Sequence, residues 1–267
     1  MPLRRALTVA GSDCSGGAGI QADLKTFHTF GVYGMSAVTA VVAENTLGVQ
    51  GWRALDPDFV VQQIASCLDD VGVDAVKTGM LVDAPTIRAV AALLRDRRIG
   101  NLVVDPVMRA KSGDPLIDPE AVSTLVEEIF PLARVVTPNV PEAEVLAGFP
   151  LRGLDDFRRA AEVIRAAGPE VVVLKGGHSP VNPGGIARDF VWDGRVWETL
   201  EGGRSGDRNT HGTGCTFSAA AAAGLALGLD VLPALRRAKA FITEAIRTAP
   251  GLGGGHGPVN HWASFSE

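Results

Sequence analysis

Short β-branched apolar runs alternate with longer stretches of helical period along the chain, and this alternation leaves few folds open. Ala6 to Ala10, Ser36 to Val42, Ala75 to Thr78, Asn101 to Asp105, Arg134 to Thr137 and Val171 to Lys175 read as parallel strands. Between them, Phe59 to Val71, Pro85 to Arg97, Ala121 to Phe130 and Phe157 to Ala167 place apolar residues three and four apart, the spacing of one helix face. After the last parallel strand comes Phe190 to Leu200, whose Trp192-Asp193-Gly194-Arg195 has the Asp-Gly core of a type I′ hairpin. Two helices close the chain, one from near Gly214 and one from about Leu232 to Thr248, ahead of the glycine-rich GLGGGHGPVNHW. Serial βαβ units of this kind predict an α/β protein, a three-layer αβα sandwich on a mostly parallel sheet. No linker, repeat or low-complexity stretch divides residues 1–267, so one domain is expected.

Composition narrows the partners. Twenty-five Lys and Arg against 30 Asp and Glu give a formal charge of −5, and no dense basic run is present. Nucleic acid and anionic membrane are therefore not expected as partners. A small phosphorylated ligand stays open, because backbone dipoles hold anions on acidic proteins. No run approaches the roughly 18 apolar residues of a membrane span. The amino-terminal MPLRRALTVAGSD lacks the apolar core of a secretion signal. Cys14, Cys67 and Cys215 are widely spaced, with no metal-ligand pattern, so neither a disulfide framework nor structural zinc is expected, and a reducing cytoplasm is the expected compartment. Cys67 reads as a core residue and Cys14 as a small filler beside the first loop.

In an open parallel sheet, ligands bind beyond the carboxyl ends of the strands. The exits here carry GSDCSGGAGIQ, AEN, KTGM, DPV, TPNVPEAE and KGGH, bringing Asp13, Glu44, Thr78, Asp105, Asn139, Glu142 and Lys175 toward one edge. Taken singly, many of these cap helices or open turns. Thr210-His211-Gly212-Thr213-Gly214-Cys215-Thr216-Phe217 runs directly into an alanine-rich helix. Its glycines and helix start form an anion hole, and a thiol in a first helical turn is commonly acidified, so Cys215 can act as a base toward a substrate hydroxyl. The alternative is a glycine-rich cap with Cys215 as a packing residue. Asp105 is a candidate Mg²⁺ ligand, direct or through water, or else an ordinary strand-end cap. Asn139 and Glu142, spaced as NxxE, either support that metal and its phosphate oxygens or make Asn139 a helix cap. Lys175 either pairs with a phosphate or is a surface lysine.

Such an edge suits phosphoryl transfer, which needs positioning and charge neutralisation above all. The Walker A pattern of P-loop kinases is absent. Gly17-Ala18-Gly19-Ile20-Gln21-Ala22 matches the GxGxxA of dinucleotide-binding folds, with Glu44 near the place of their ribose-binding acid. Residues Ser12 to Gly16 nevertheless separate these glycines from the strand, and that reading leaves HGTGCT unexplained.

ALTVAGSD, GGAGIQADLKTF, ENTLGVQ, KTGML, VVDPVM, KSGDPL, TPNVPEAE, VLKGGH, NTHGTGCTFSAA and GHGPVNHW together span nearly the whole chain in order. On these segments the chain resembles the hydroxymethylpyrimidine and phosphomethylpyrimidine kinases of thiamin biosynthesis, in the ribokinase-like superfamily. The resemblance implies Mg²⁺-dependent transfer of the γ-phosphate of ATP to 4-amino-5-hydroxymethyl-2-methylpyrimidine and then to its monophosphate, by a homodimer. It places the pyrimidine pocket on Gly11, Ala18, Val42, Glu44, Met80 and Val107. The anion hole falls on Gly212 and Gly214, with Cys215 where related sugar kinases carry an Asp base. Asp105 and Glu142 would serve the metal, and Lys175, Asn139, Thr213 and Lys111 the ATP. Met108 to Leu116, with Lys111 and Gly113, looks like a flap over the nucleotide that would exclude water.

One position departs from the expected pattern. A Gln at 44 could both donate to a ring nitrogen and accept from the 4-amino group, whereas an ionised Glu44 only accepts. Glu44 therefore fits a ring-protonated pyrimidine or needs a raised pKa. Relatives of the same superfamily phosphorylate pyridoxal or pyridoxine, which makes a pyridoxal-type kinase the nearest alternative; Cys215 could add to such an aldehyde. A dinucleotide-binding oxidoreductase and a non-catalytic ligand-binding protein are the remaining readings, and Asp105, Lys175 and Cys215 argue against the last.

Overall fold

A computed structural model of the chain describes residues 3–108, 117, 119–177, 179, 181–182, 184–206 and 208–265. Its strands are β1 (Arg5–Ala10), β2 (Tyr33–Val38), β3 (Ala40–Asn45), β4 (Gly48–Ala54), β5 (Ala75–Thr78), β6 (Leu102–Val104), β7 (Val135–Val136), β8 (Val171–Lys175), β9 (Ile186–Trp192) and β10 (Trp197–Gly203). Its helices are α1 (Gly19–Thr29), α2 (Pro57–Ser66), α3 (Ala84–Asp96), α4 (Pro119–Thr124), α5 (Val140–Ala147), α6 (Leu154–Ala166), α7 (Thr213–Ala226) and α8 (Val231–Arg247). Eight strands form one sheet in the order β10-β9-β8-β7-β6-β5-β1-β2, parallel from β2 to β8 with β9 and β10 antiparallel at the edge. The three-layer sandwich expected from the alternating pattern is what forms.

Each apolar strand feeds two cores, which is why its sequence does not alternate with polar residues. In β8, Val172 and Leu174 pack with α2, α3 and α6 residues such as Ile64, Leu94 and Phe157, while Val171 and Val173 pack with Phe217, Phe241 and the alanines of α7. Residues Ala219 to Ala223 of α7 are buried throughout, so α7 is a central helix without a polar face. The remaining helices are signalled locally. Asp56 and Asp83 cap α2 and α3 by accepting from the backbone N–H of Asp58 and Thr86, each with a proline in the first turn. Caps of this kind are worth about 1 kcal/mol each.

Two expected elements differ. The run Ser36 to Val42 is not one strand: it breaks at Thr39, and β3 leaves the main sheet to pair with β4 in a separate antiparallel hairpin. Thr39 is fully buried and pins the break, its N–H donating to Ala10 O and its hydroxyl to Met80 O at 2.6 Å. The connection between β9 and β10 is also longer than a two-residue type I′ turn, since Trp192 pairs with Trp197. Asp193 stabilises it by accepting from the N–H of both Arg195 and Val196.

Candidate active site

The β1 exit loop is organised by one carboxylate. Asp13 accepts from the N–H of Ser15, Gly17 and Ala18, from the Ser15 hydroxyl, and from His211 Nε2 at 2.8 Å. Burial opposes its charge, but the His211, Ser15 and Ala18 hydrogen bonds outweigh burial and hold the carboxyl well below its ordinary value. An ionised carboxylate only accepts, so the His211 proton sits on Nε2. This arrangement also argues against the dinucleotide-loop alternative, as did the residues Ser12 to Gly16 that separate the glycines from the strand. The N–H groups of Gly17 and Ala18 that would cradle a pyrophosphate are taken by Asp13, and Gly17 packs against His211 and Gly212. Gly212 has φ +76, and a Cβ on it would overlap the Gly17 carbonyl oxygen, so the start of α7 meets the loop before α1 only with glycine at this contact.

From the β3–β4 hairpin, Val42 and Glu44 face the same crevice. Val42 joins Ala40, Met80 and Val82 in a small apolar cluster of its own, with Val49 and Val107 packed on it. The carboxylate of Glu44 lies with Asp13 and His211 in a group whose ligand-type atoms fall within 4.8 Å of one another. The apolar end of the crevice thus carries an acidic, hydrogen-bonding rim.

At the other end stand the charged groups. Lys175, leaving β8, donates to Asp105 Oδ1 at 2.8 Å, and Thr137 donates to the same oxygen at 3.3 Å. The α5 start is a capping box: Asn139 Oδ1 accepts from the Glu142 N–H and Glu142 Oε2 from the Asn139 N–H. Burial pushes the Glu142 carboxyl up to about 7, with Lys175 opposing and Asp105 adding to the rise. Burial works against the Lys175 charge, yet Asp105 and Glu142 keep its pKa above the ordinary lysine value. A Cβ on Gly214 would stand 3.1 Å from Lys175 Nζ and 3.5 Å from Asp105 Oδ2. Glycine there leaves the first turn of α7 open to the cation.

Cys215 occupies that first turn, but its thiol is not acidified as expected. Burial pushes it up to about 12; Lys77 opposes the rise, and a donor contact from the Gly19 backbone N–H also opposes it, while Asp23 and Asp105 add to it. Removing a small anion from water costs more than a helix terminus returns.

Gly11, Ala18, Val42, Glu44, Met80, Asp105, Val107, Asn139, Glu142, Lys175, Gly212, Thr213, Gly214 and Cys215 all line one cleft of about 750 Å³. Of the strand-exit residues, Asp13 lines the cleft as well, whereas Thr78 is fully buried and does not; Lys111 and the rest of the expected flap after Met108 lie outside the described residues. Several neighbours were not assigned roles from sequence. Lys77 Nζ donates to Asp23 Oδ2 at 2.8 Å with both side chains fully buried, and Lys239 donates to Asp189 at the same distance at the far end of the cleft. A lysine inside the apolar strand run AVKT was the available signal for the first. Phe217, Ile242 and Ile246 line the apolar wall beside Lys239, and nothing local in sequence pointed to them.

Comparison with known proteins agrees with this geometry. The family model described as phosphomethylpyrimidine kinase matches residues 13–260. Over 260 residues the chain is 50% identical to a bifunctional thiamine biosynthesis protein of Geobacter sulfurreducens, spanning 97% of this chain and 52%, about half, of that relative. It is 45% identical to a hydroxymethylpyrimidine/phosphomethylpyrimidine kinase of Bacillus subtilis, across 98% of this chain and 96% of the relative. The solved structure of an ADP complex of Bacillus subtilis pyridoxal kinase superposes with a TM-score of 0.89 at 43% identity, covering 98% of both chains.

Proposed function

The chain belongs to the phosphomethylpyrimidine kinase family, and from that premise we propose that it transfers the γ-phosphoryl group of ATP to 4-amino-5-hydroxymethyl-2-methylpyrimidine and then to the monophosphate. The observation that carries this reading is the two-ended cleft: an apolar wall of Val42, Met80 and Val107 beside Glu44, and a cationic and anion-holding end at Lys175 and Gly212–Gly214, with Cys215 among them.

At the apolar end, Glu44 accepts from the 4-amino group and from a protonated ring nitrogen, while Val42, Met80 and Val107 cover the ring faces. Gly11 and Ala18 give the ring room. At the charged end, Lys175 neutralises the transferred phosphoryl group, and the N–H groups of Gly214 and Cys215 in the first turn of α7, which have no intrahelical acceptor, hold its oxygens, while the Thr213 N–H donates to Thr210 O. Asn139 and Thr213 flank the phosphate chain. Asp105 and Glu142 offer hard oxygen donors, and the Glu142 carboxyl, raised by burial with Lys175 opposing the rise, is a group that a divalent cation would hold ionised, which fits Mg²⁺. Held by these residues, Mg²⁺ would supply further neutralisation of the phosphates.

Cys215 accepts the substrate hydroxyl proton as its thiolate. Because burial holds the thiol up to about 12, turnover is expected to rise with pH through the neutral and alkaline range. Cys215→Ala lowers kcat about 10²- to 10³-fold and removes that rise while pyrimidine binding stays measurable. Near-normal turnover in the variant would take Cys215 out of this role.

A pyridoxal kinase is the second reading, favoured by the similarity to the Bacillus subtilis pyridoxal kinase structure. In it the Cys215 thiol adds to the substrate aldehyde as a hemithioacetal. Product mass after incubation with ATP and Mg²⁺ decides between the readings, with hydroxymethylpyrimidine, its monophosphate and pyridoxal offered in parallel. Pyrimidine diphosphate supports the proposal, phosphorylation of pyridoxal alone overturns the substrate, and no turnover of any overturns the kinase. A homodimer is part of the proposal and is read by light scattering. Among the described residues no helix is long and apolar enough to cross a membrane.

A further inference from the structure

The hairpin strand β3 pairs with β4 along one edge, and its other edge is occupied at every second residue by groups from outside the hairpin. Ser12 N–H donates to Ala40 O at 2.8 Å, and Val42 N–H donates to Ser12 Oγ at 3.1 Å. The Cys14 thiol then serves Glu44 twice, accepting from its N–H at 3.4 Å and donating to its carbonyl at 3.2 Å. Two residues on, the His256 N–H donates to Thr46 O at 2.8 Å and the Gly255 N–H to Thr46 Oγ1 at 3.3 Å. Positions 40, 42, 44 and 46 are thus held by a composite ladder in which side chains and the carboxyl-terminal segment replace a neighbouring strand. Glu44 sits where the β3–β4 register shifts, so the partner strand by itself sets its placement least.

The same terminal segment reaches the anion loop. Gly257 O accepts from the His211 N–H at 3.0 Å, and the Gly257 N–H donates to Arg208 O at 3.0 Å. The strap requires glycine: a Cβ on Gly255 would overlap the Thr46 carbonyl oxygen, and one on Gly257 would overlap Asn209 Oδ1.

We infer that Cys14 and the Gly253–Pro258 strap are positioning elements for substrate recognition, holding the Glu44 carboxylate against the Asp13–His211 pair and tying the hairpin to the anion loop. The inference rests on the reading of Glu44 as the group that binds the aminopyrimidine. Neither Cys14 nor Gly255 lines the cleft; they act through Glu44.

Steady-state kinetics of purified enzyme with hydroxymethylpyrimidine and ATP test it. Cys14→Ala and Gly255→Ala each raise the pyrimidine KM about threefold to tenfold, the loss of one or two hydrogen bonds, with kcat and the ATP KM changed by less than about twofold. Cys14→Ser keeps a donor and an acceptor and returns KM toward the parent value. In a Glu44→Ala background neither substitution raises KM further, because the effect runs through Glu44. An unchanged pyrimidine KM in Cys14→Ala and Gly255→Ala, with a raised one in Glu44→Ala, overturns the positioning role alone. A rise that persists in the Glu44→Ala background also overturns it. An unchanged KM in Glu44→Ala overturns the reading of Glu44 and the positioning role together. Should Gly255→Ala lose its cooperative melting transition, the exposed Cys14 pair of variants decides by itself.

Discussion

Lys77 reaches Asp23 and Lys175 reaches Asp105 across the same 2.8 Å, and both lysines leave the main sheet near the carboxyl end of a strand. The surroundings differ. Lys77 and Asp23 have no solvent exposure, and Thr8 donates to the Asp23 oxygen that Lys77 uses at 2.6 Å. Burial raises the Asp23 pKa and works against the Lys77 charge, but Asp23, Cys215 and Asp105 keep that lysine above its ordinary value. Lys175 keeps 13% of its side chain exposed and faces a second carboxylate, Glu142, and a bare glycine at 214. An ion-pair distance therefore assigns no role. What separates a sealed pair from one available to a ligand is access, and whether the charges around the cation already balance it.

The largest effect expected from this contrast is on the sealed pair. Lys77→Met leaves a buried, unpaired carboxylate at Asp23, and stability measured by denaturant unfolding falls by about 3–5 kcal/mol. Adding Asp23→Leu recovers most of the loss, since an apolar pair of similar volume replaces both charges. Lys175→Met behaves the other way round. It loses less stability, because the partly exposed Lys175 position opens on the cleft and Thr137 still donates to Asp105, while kcat falls about 10²- to 10³-fold through lost phosphate neutralisation. A Lys175 variant that unfolds as readily as the Lys77 variant breaks the comparison.

His261 separates burial from pairing, because its Nε2 is 3.1 Å from the neutral Thr216 hydroxyl and the charge that acts on it, Lys25, is of the same sign as an imidazolium. Burial, with Lys25 adding to it, brings its pKa from 6.5 to about 4. The unfolded chain takes up a proton that the folded chain refuses, so this contribution is complete above about 6.5 and is lost as pH falls toward 4. The loss reaches up to about 3 kcal/mol and is absent in His261→Gln; melting across acidic pH reads it. The smallest effect belongs to the half-exposed rim. Glu44→Gln changes the pyrimidine KM modestly at one pH but flattens its dependence between about pH 5.5 and 8.5, since an amide donates and accepts without titrating. Identical pH profiles for parent and variant would remove the protonated-ring interaction.

Much of this was legible in the residues. The runs AVKT and VVVLK coincide with β5 and β8, because a strand buried on both faces is mostly apolar, and the buried polar residues in β5, Lys77 and Thr78, mark where a partner is needed. The exits of those strands and HGTGC pointed to one cleft, since a parallel sheet directs every carboxyl end to the same edge. Thr39 hid the break between β2 and β3: apolar residues continue across it, and what turns the chain is a buried hydroxyl bonded to Met80, 41 residues away. The first glycine loop was ambiguous in sequence for a related reason. Its sequence suits a phosphate, but Asp13, four and five positions before its donors, fills it.

By itself the sequence determined the layer order, the edge at which ligands bind and the glycine-rich start of α7, because strand period, helix caps and glycine-rich turns are local properties. Only the tertiary structure decided the charge states and the couplings. Asp13 meets His211 across 198 positions, Lys77 meets Asp23 across 54, and the terminal glycines meet Thr46 across 209. Burial, which depends on every layer at once, then sets the Cys215 thiol up to about 12, where local helix position alone would have lowered it.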